Sequence, residues 1–248
     1  MNETIKAQLE HRTIREFKDE KLDDSVINTL LDIANRAPTS NGMQFLTIIK
    51  VTDQQIKDEL AKNGMQEYMA RAPHLWVFVI DLYRNYQIAK ENHEENDEMI
   101  SFDKFMQGYN DALIAAQNVT VAAESLGLGV NYFGNIHNDT KKVIELLNLP
   151  ELTFPGVGLG FGYPNQEPQL KPRMDIGIKS FEDKYKIFDN YNDKISEYDK
   201  EMTTYYDLRE SNRRSDSFST QIAKKQGSII ANRDEMFKVL LDQGFKIK

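Results

Sequence analysis

The sequence predicts an α+β fold, on three observations. Helical and extended patterns interleave along the chain without a repeating strand–helix–strand unit, which argues against a doubly wound parallel sheet. Residues 75–82 (Leu-Trp-Val-Phe-Val-Ile-Asp-Leu) form a near-continuous apolar run, the pattern of a strand buried on both faces. Residues 155–163 carry Gly156, Gly158, Gly160 and Gly162 at alternate positions and read as a strand that something packs against closely.

Taken in order, residues 4–11 have a helical pattern. Residues 24–37 place Val26, Ile27, Leu30, Leu31, Ile33 and Ala34 on one stripe, with Asp23 or Asp24 as the cap. Pro38-Thr39-Ser40-Asn41-Gly42 breaks that helix. Residues 45–52 read as a strand and 53–63 as a helix ended by Gly64. The charged stretch 91–98 reads as a solvated surface segment. Ser101 then caps a long helix over 102–126, whose apolar Phe102, Phe105, Met106, Tyr109, Leu113 and Ala116 step by three and four. Ala112, Ala115, Ala122 and Ala123 make much of the rest of its surface small, so it belongs in a core or across a subunit interface. Gly127-Leu128-Gly129 stops it before a strand at 130–133 and a helix at 139–147. Residues 181–215, rich in Asp, Lys, Asn, Glu and Tyr, predict a long loop and a helix that packs on something other than its own core. A weak helical pattern closes the chain over 228–245.

The 248 residues suit one large domain, or a domain with an appendage. A formal net charge of -8 and a pI near 5.2 argue against a nucleic-acid partner, which would need a broad basic face. The chain has no cysteine, which removes disulfides, thiolate metal sites and a cysteine nucleophile and fits a reducing compartment. The first residues lack an apolar signal region and no apolar run is long enough to span a bilayer. The expectation is a soluble, cytoplasmic protein without a membrane partner. His11, His74, His93 and His137 show no metal spacing, so no metal site is expected. No serine-hydrolase elbow is present.

Against the acidic background, cations concentrate at two points: His11-Arg12-Thr13-Ile14-Arg15 and Leu170-Lys171-Pro172-Arg173. Arginine offers a planar fork of donors and lysine a point charge, which suits a phosphate monoester. Each cluster alone is also what a solvated helix end or a surface loop provides, the first through salt bridges to Glu10, Glu16 or Asp19. Together they read as two jaws on one phosphorylated ligand. The glycine run is not a phosphate loop, because no helix follows it in the required context.

Five segments in register carry a family resemblance: residues 11–15; Arg36-Ala37-Pro38-Thr39-Ser40-Asn41-Gly42-Met43-Gln44; Gln66-Glu67-Tyr68; residues 122–129 with Tyr132-Phe133-Gly134-Asn135; and residues 168–173. Together they resemble the flavin-dependent nitroreductase superfamily, and within it the branch of NADPH-dependent nitroreductases and flavin reductases. Residues 4 to about 215 follow its order and spacing.

The resemblance implies an α+β sandwich, a mostly antiparallel sheet flanked by helices. It implies non-covalently bound FMN and a homodimer. One FMN-binding domain would span 1–248, and its C-terminal extension, 174–248, would pack on the partner as an exchanged arm. The implied activity is that of an NAD(P)H-dependent oxidoreductase, reducing nitroaromatics, quinones or free flavins by a ping-pong route. Position by position, it implies that Arg12, Lys171 and Arg173, with His11, hold the cofactor phosphate. Thr13 and Arg15 lie near the ribityl chain and pyrimidine edge, with Arg15 stabilising the reduced ring. Ser40, Asn41 and Gln44 reach the cofactor from the partner subunit. Gln66 and Tyr68 meet the ring's polar edge. The backbone of Tyr132, Phe133, Gly134 and Asn135 passes its reactive nitrogen. Arg209 stands where the branch reads the extra phosphate of NADPH. Three positions depart from the pattern: Thr13 stands where serine is usual, Asn135 replaces a usual glycine, which is expected to alter access over the ring, and His137 replaces a common arginine.

Overall fold

Alternate residues of one strand feed two separate cores. β2 (His74–Asp81) sends Trp76, Phe78 and Ile80 into one hydrophobic cluster and Leu75, Val77 and Val79 into the other. Successive side chains of a strand point to opposite faces, and burial on both is what an unbroken apolar run produces.

The computed structural model describes residues 1–207, 213–225 and 231–247. It divides into two compact units, residues 1–167 with 230–248, and residues 168–229. In the first unit, β1 (Leu46–Val51), β2, β3 (Gly129–Phe133) and β4 (Thr153–Gly162) form a sheet of order β1-β2-β4-β3, every pair antiparallel. Helices α2 (Asp24–Asn35) and α5 (Phe102–Ser125) contribute to the core that holds Trp76. Helices α3 (Gln54–Gly64) and α6 (Thr140–Leu146) contribute to the one that holds Leu75. The expected α+β class and antiparallel sheet flanked by helices are therefore present.

α5 buries its small face in its own chain: Gly108, Ala112, Ala115, Ala116, Val119 and Ala123 are all buried. The Ser101 hydroxyl caps it by accepting the Lys104 N–H. Phe102, Met106 and Ile114 remain 40–41% exposed, an apolar outer face. The glycines of β4 make room for the protein's own side chains. A Cβ on Gly160 would sit 2.7 Å from the Phe133 ring, closer than real Cβ contacts allow.

Four features differ from the sequence reading. α1 (Glu3–Leu9) ends before the first basic cluster, so Arg12 and Arg15 lie on an extended segment and not at a helix end. Gly64 is the last residue of α3, and the left-handed cap is Met65 at φ 52°. α4 (Tyr83–Glu91) has no counterpart in the sequence reading; it buries no residue, and only Tyr86 packs partly against the larger core. The extension expected over 174–248 splits, since its last part belongs to the first unit. There Val239 and Leu240 of α9 (Met236–Asp242), together with Phe245, join the larger core. The Phe102 N–H also donates to the Lys246 carbonyl at 2.8 Å.

The second unit is built on α7 (Tyr191–Thr204) and α8 (Phe218–Lys225), joined by a short pairing of β5 (Tyr206–Asp207) with β6 (Arg213–Arg214). Tyr198 and Phe218 bring the helices together, ring centroids 5.3 Å apart, and Asp199 accepts the Ser219 N–H at 3.0 Å. α7 buries only Ile195 and Met202, while Ile176, Tyr185, Ile187 and Tyr191 are exposed.

Candidate functional site

The first basic cluster runs as an added edge beside β3. Thr13 forms a parallel bridge with Val130, and the Ile14 N–H donates to the Val130 carbonyl at 2.9 Å. Ile14 is buried, which anchors the segment and sets the side chains of Thr13 and Arg15 on the other side of the backbone. Arg12 spends one guanidinium nitrogen on the Glu10 carbonyl at 2.9 Å. Its Nε is buried with no partner among the described residues, and so is the Nε of Arg15. Such donors are costly to bury unmatched, and each is available to an acceptor.

Arg15 lies over the Tyr68 ring, 5.8 Å from its centroid, and Tyr68 meets Phe133 at 6.1 Å. The first cluster, the Gln66–Tyr68 segment and the end of β3 thus come together through one chain of contacts. Gln66 is seated by its N–H to the Ala61 carbonyl at 3.0 Å. The Tyr132 phenol turns to α5, where it accepts from Thr120 at 2.8 Å and lies 3.2 Å from Gln117. Burial pushes that phenol up to about 12, so it stays neutral.

Asn135 does not project over an open surface. Its Nδ2 donates to the Gly64 carbonyl at 2.7 Å, where Asn138 also donates at 3.2 Å. A Cβ on Gly64 would fall 2.2 Å from that nitrogen, so the contact requires glycine. The Asn135 side chain forms a latch between the 134–139 turn and the end of α3. His137, a further departure, is a core residue. One ring nitrogen pairs with the Gly156 carbonyl at 2.9 Å, and burial lowers its pKa.

Ser40, Asn41 and Gln44 stand apart from this group. They form a turn after α2 whose hydrogen bonds run to α4 and α5. Asp111, fully buried, accepts the N–H of Ser40 at 2.8 Å and of Phe45 at 3.1 Å. Arg84 donates to the Gln44 carbonyl, and Asn85 to that of Met43 at 2.8 Å. Asn41 and Gln44 hold positive φ, 53° and 55°, and residues 41–44 are exposed. The result is a projecting turn fastened from below. A groove of about 820 Å³ beside it is lined by Thr39, Met43, Gln44, Arg84 and Ile88, and by none of residues 11–15, 66–68 or 132–135. Asp111, Arg84 and Asn85 escaped the sequence reading. The legible signal was an acid opening the small, apolar run Asp111-Ala112-Leu113-Ile114-Ala115-Ala116.

Lys171 and Arg173 belong to the second unit. Lys171 is half-buried; Arg173 is exposed, and its guanidinium contacts the carbonyls of Lys171 at 3.4 Å and Pro172 at 3.3 Å. Arg209 lies outside the described residues. Among the described residues no group of His, Asp and Glu could hold a metal ion, and no helix is long and apolar enough to cross a membrane.

Comparison with known proteins agrees over the whole length. The profile of the nitroreductase family matches residues 9–163, and that of the nitroreductase family C-terminal domain matches 171–248. An FMN reductase (NADPH) of Bacillus subtilis is 39% identical over 225 residues, 90% of each chain. An oxygen-insensitive NADPH nitroreductase of Salmonella typhimurium is 33% identical over 99% of each. Among solved structures, Bacillus megaterium NfrA2 superposes with a TM-score of 0.91 at 32% identity, covering 100% of both chains. The NADPH:FMN oxidoreductase of Vibrio harveyi complexed with NAD+ superposes with a TM-score of 0.85 at 32% identity, covering 98% of both.

Proposed function

The chain belongs to the nitroreductase family, and from that premise we propose that it is an FMN-dependent oxidoreductase. It takes hydride from NADPH and passes electrons to nitroaromatics, quinones or free flavin, the two half-reactions alternating at one site. The observation that carries the reading is the unmatched Arg15 Nε, whose guanidinium lies over Tyr68 beside the end of β3, with a second unmatched donor, Arg12 Nε, on the same segment.

Those residues fit FMN. Arg12 and His11 suit the phosphate, and Thr13 the ribityl chain. Arg15 supplies a fixed positive charge, held over an aromatic ring, where a heterocycle gains electrons. Gln66 would offer an amide to a polar ring edge, and the backbone from Tyr132 to Asn135, with Gly134 exposed, would lie beside the ring. When bound, FMN supplies the hydride and electron transfer; the protein supplies position and charge. The Asn135–Gly64 latch holds the 134–139 turn against α3, so this backbone is set before a ligand arrives. The assignment of Lys171 and Arg173 to the same phosphate rests on the resemblance, and so does that of Arg209 to NADPH.

The protein is proposed to work as a homodimer in which Ser40, Asn41 and Gln44 serve the partner's cofactor and an arm from the second unit is exchanged. Two features support this. The turn is fastened yet exposed, and Phe102, Met106 and Ile114 leave an apolar face on α5. The test is anaerobic mixing of the yellow protein with NADPH and NADH in parallel. Rapid bleaching marks the reductase; colour that persists with both donors marks a flavin carrier with little turnover.

A further inference from the structure

His11 and Glu124 are 113 positions apart in sequence and meet at 2.5 Å, imidazole Nδ1 to carboxylate Oε1. Glu124 sits on the last turn of α5 with its side chain 12% exposed; that of His11 is 31% exposed. A carboxylate this far from water costs free energy unless something holds it. Here the holder is one nitrogen of an imidazole on the basic segment. The Tyr132 phenol also lies near Glu124, and it stays neutral.

We propose that Glu124 is a positioning residue for the phosphate of the cofactor, acting through His11. This rests on the flavin reading above. With Nδ1–H given to Glu124, the ring cannot flip, and Nε2 becomes the nitrogen offered to a ligand. Nδ1 faces the carboxylate on one side, and the ring's other nitrogen, Nε2, is left for a phosphate oxygen on the other. Arg12, the next residue, keeps its Nε unmatched, so two neighbouring side chains offer donors. Nothing in this arrangement recognises the isoalloxazine ring, so Glu124 separates flavins that carry a phosphate from those that do not.

Glu124 also carries a negative charge near a dianion. Its net effect on phosphate binding is favourable only while His11 stands between them. The sign of the Glu124→Gln effect should therefore depend on His11.

The test is fluorescence titration of the full chain, stripped of flavin, with FMN and with riboflavin, which lacks the phosphate. Glu124→Gln should weaken FMN on the order of tenfold, the loss of one charge-assisted contact, and change riboflavin less than about twofold. In a His11→Ala background the same substitution should no longer weaken FMN and should tighten it. Equal losses for both flavins would mean that Glu124 only staples the segment, and would overturn the proposal. So would a Glu124→Gln loss that persists undiminished without His11. Should Glu124→Gln not fold, His11→Ala alone carries the test: an FMN-selective loss supports the proposal and an unselective one refutes it. Wild-type protein that binds FMN no tighter than riboflavin would instead remove the phosphate reading itself.

Discussion

The Asp111 carboxylate, buried in the middle of α5, accepts the backbone N–H of Ser40 at 2.8 Å and so fixes the start of an exposed turn from inside the core. Its second oxygen takes the Phe45 N–H at 3.1 Å, so one side chain clamps both ends of the turn. Asp111→Ala strands two backbone donors, each worth about 1–3 kcal/mol when left unpaired. Denaturant unfolding should therefore show a loss of about 2–5 kcal/mol. A loss below about 1 kcal/mol would mean that Arg84 and Asn85 hold the turn without it.

Cofactor retention should depend on both basic clusters. Arg12→Ala and Arg173→Ala should each weaken FMN binding by about 1.5–3 kcal/mol, on the order of ten- to a hundredfold. Absorbance at flavin wavelengths after extensive dialysis reads this directly. Arg173→Ala protein that keeps its full complement would return Arg173 to the role of an ordinary surface arginine.

The flavin-loaded species should be a dimer. Light scattering at low micromolar concentration, monitored together with flavin absorbance, should find colour only in the dimer peak. A yellow monomer would separate Ser40 and Asn41 from the cofactor.

Stability should fall in mild acid, partly through His137. Burial depresses its pKa in the folded state, so below about 6.5 the unfolded chain binds a proton that the folded one refuses. The contribution is intact above that value and is lost as pH drops toward the lowered folded value. His74, also depressed by burial, acts in the same direction. His137→Gln should flatten the dependence of unfolding free energy on pH between about 7 and 5.5, though it costs stability at neutral pH. An unchanged slope would assign the acid sensitivity to other groups.

Donor choice should respond to Arg209. Arg209→Ala should raise the KM for NADPH and leave NADH use and FMN retention nearly unchanged, because only NADPH carries the extra phosphate. Equal losses with both donors would make the segment a shaping element of the pocket. No change with either would move the phosphate contact to another residue.

Sequence legibility tracked burial. The run 75–82 and the helix beginning at Phe102 were readable because their side chains meet core on defined faces. α4 was not, since it buries no residue and is short and polar between two apolar segments. The stop at Gly64 was read one residue early. That glycine is demanded by the Asn135 side chain, and the left-handed residue is Met65. At the candidate site, residues 11–15, 66–68 and 132–135 could be named from motifs in register. What motifs could not supply is how the residues are held. The His11–Glu124 pair, the Asp111 clamp and the Asn135 latch each join residues 66 or more positions apart. Only the folded chain brings such pairs together, and a lone acid or amide in a sequence carries no mark of its distant partner.

The central claim is that this chain holds FMN and cycles it between NADPH and an acceptor. Anaerobic stopped-flow at flavin wavelengths, with NADPH in one syringe and the purified yellow protein in the other, tests it most directly. Rapid bleaching is expected, then recovery of colour when a quinone, nitroaromatic or free flavin is added without oxygen. Protein that is colourless and cannot be reconstituted with FMN, or yellow protein that neither NADPH nor NADH bleaches, would contradict it.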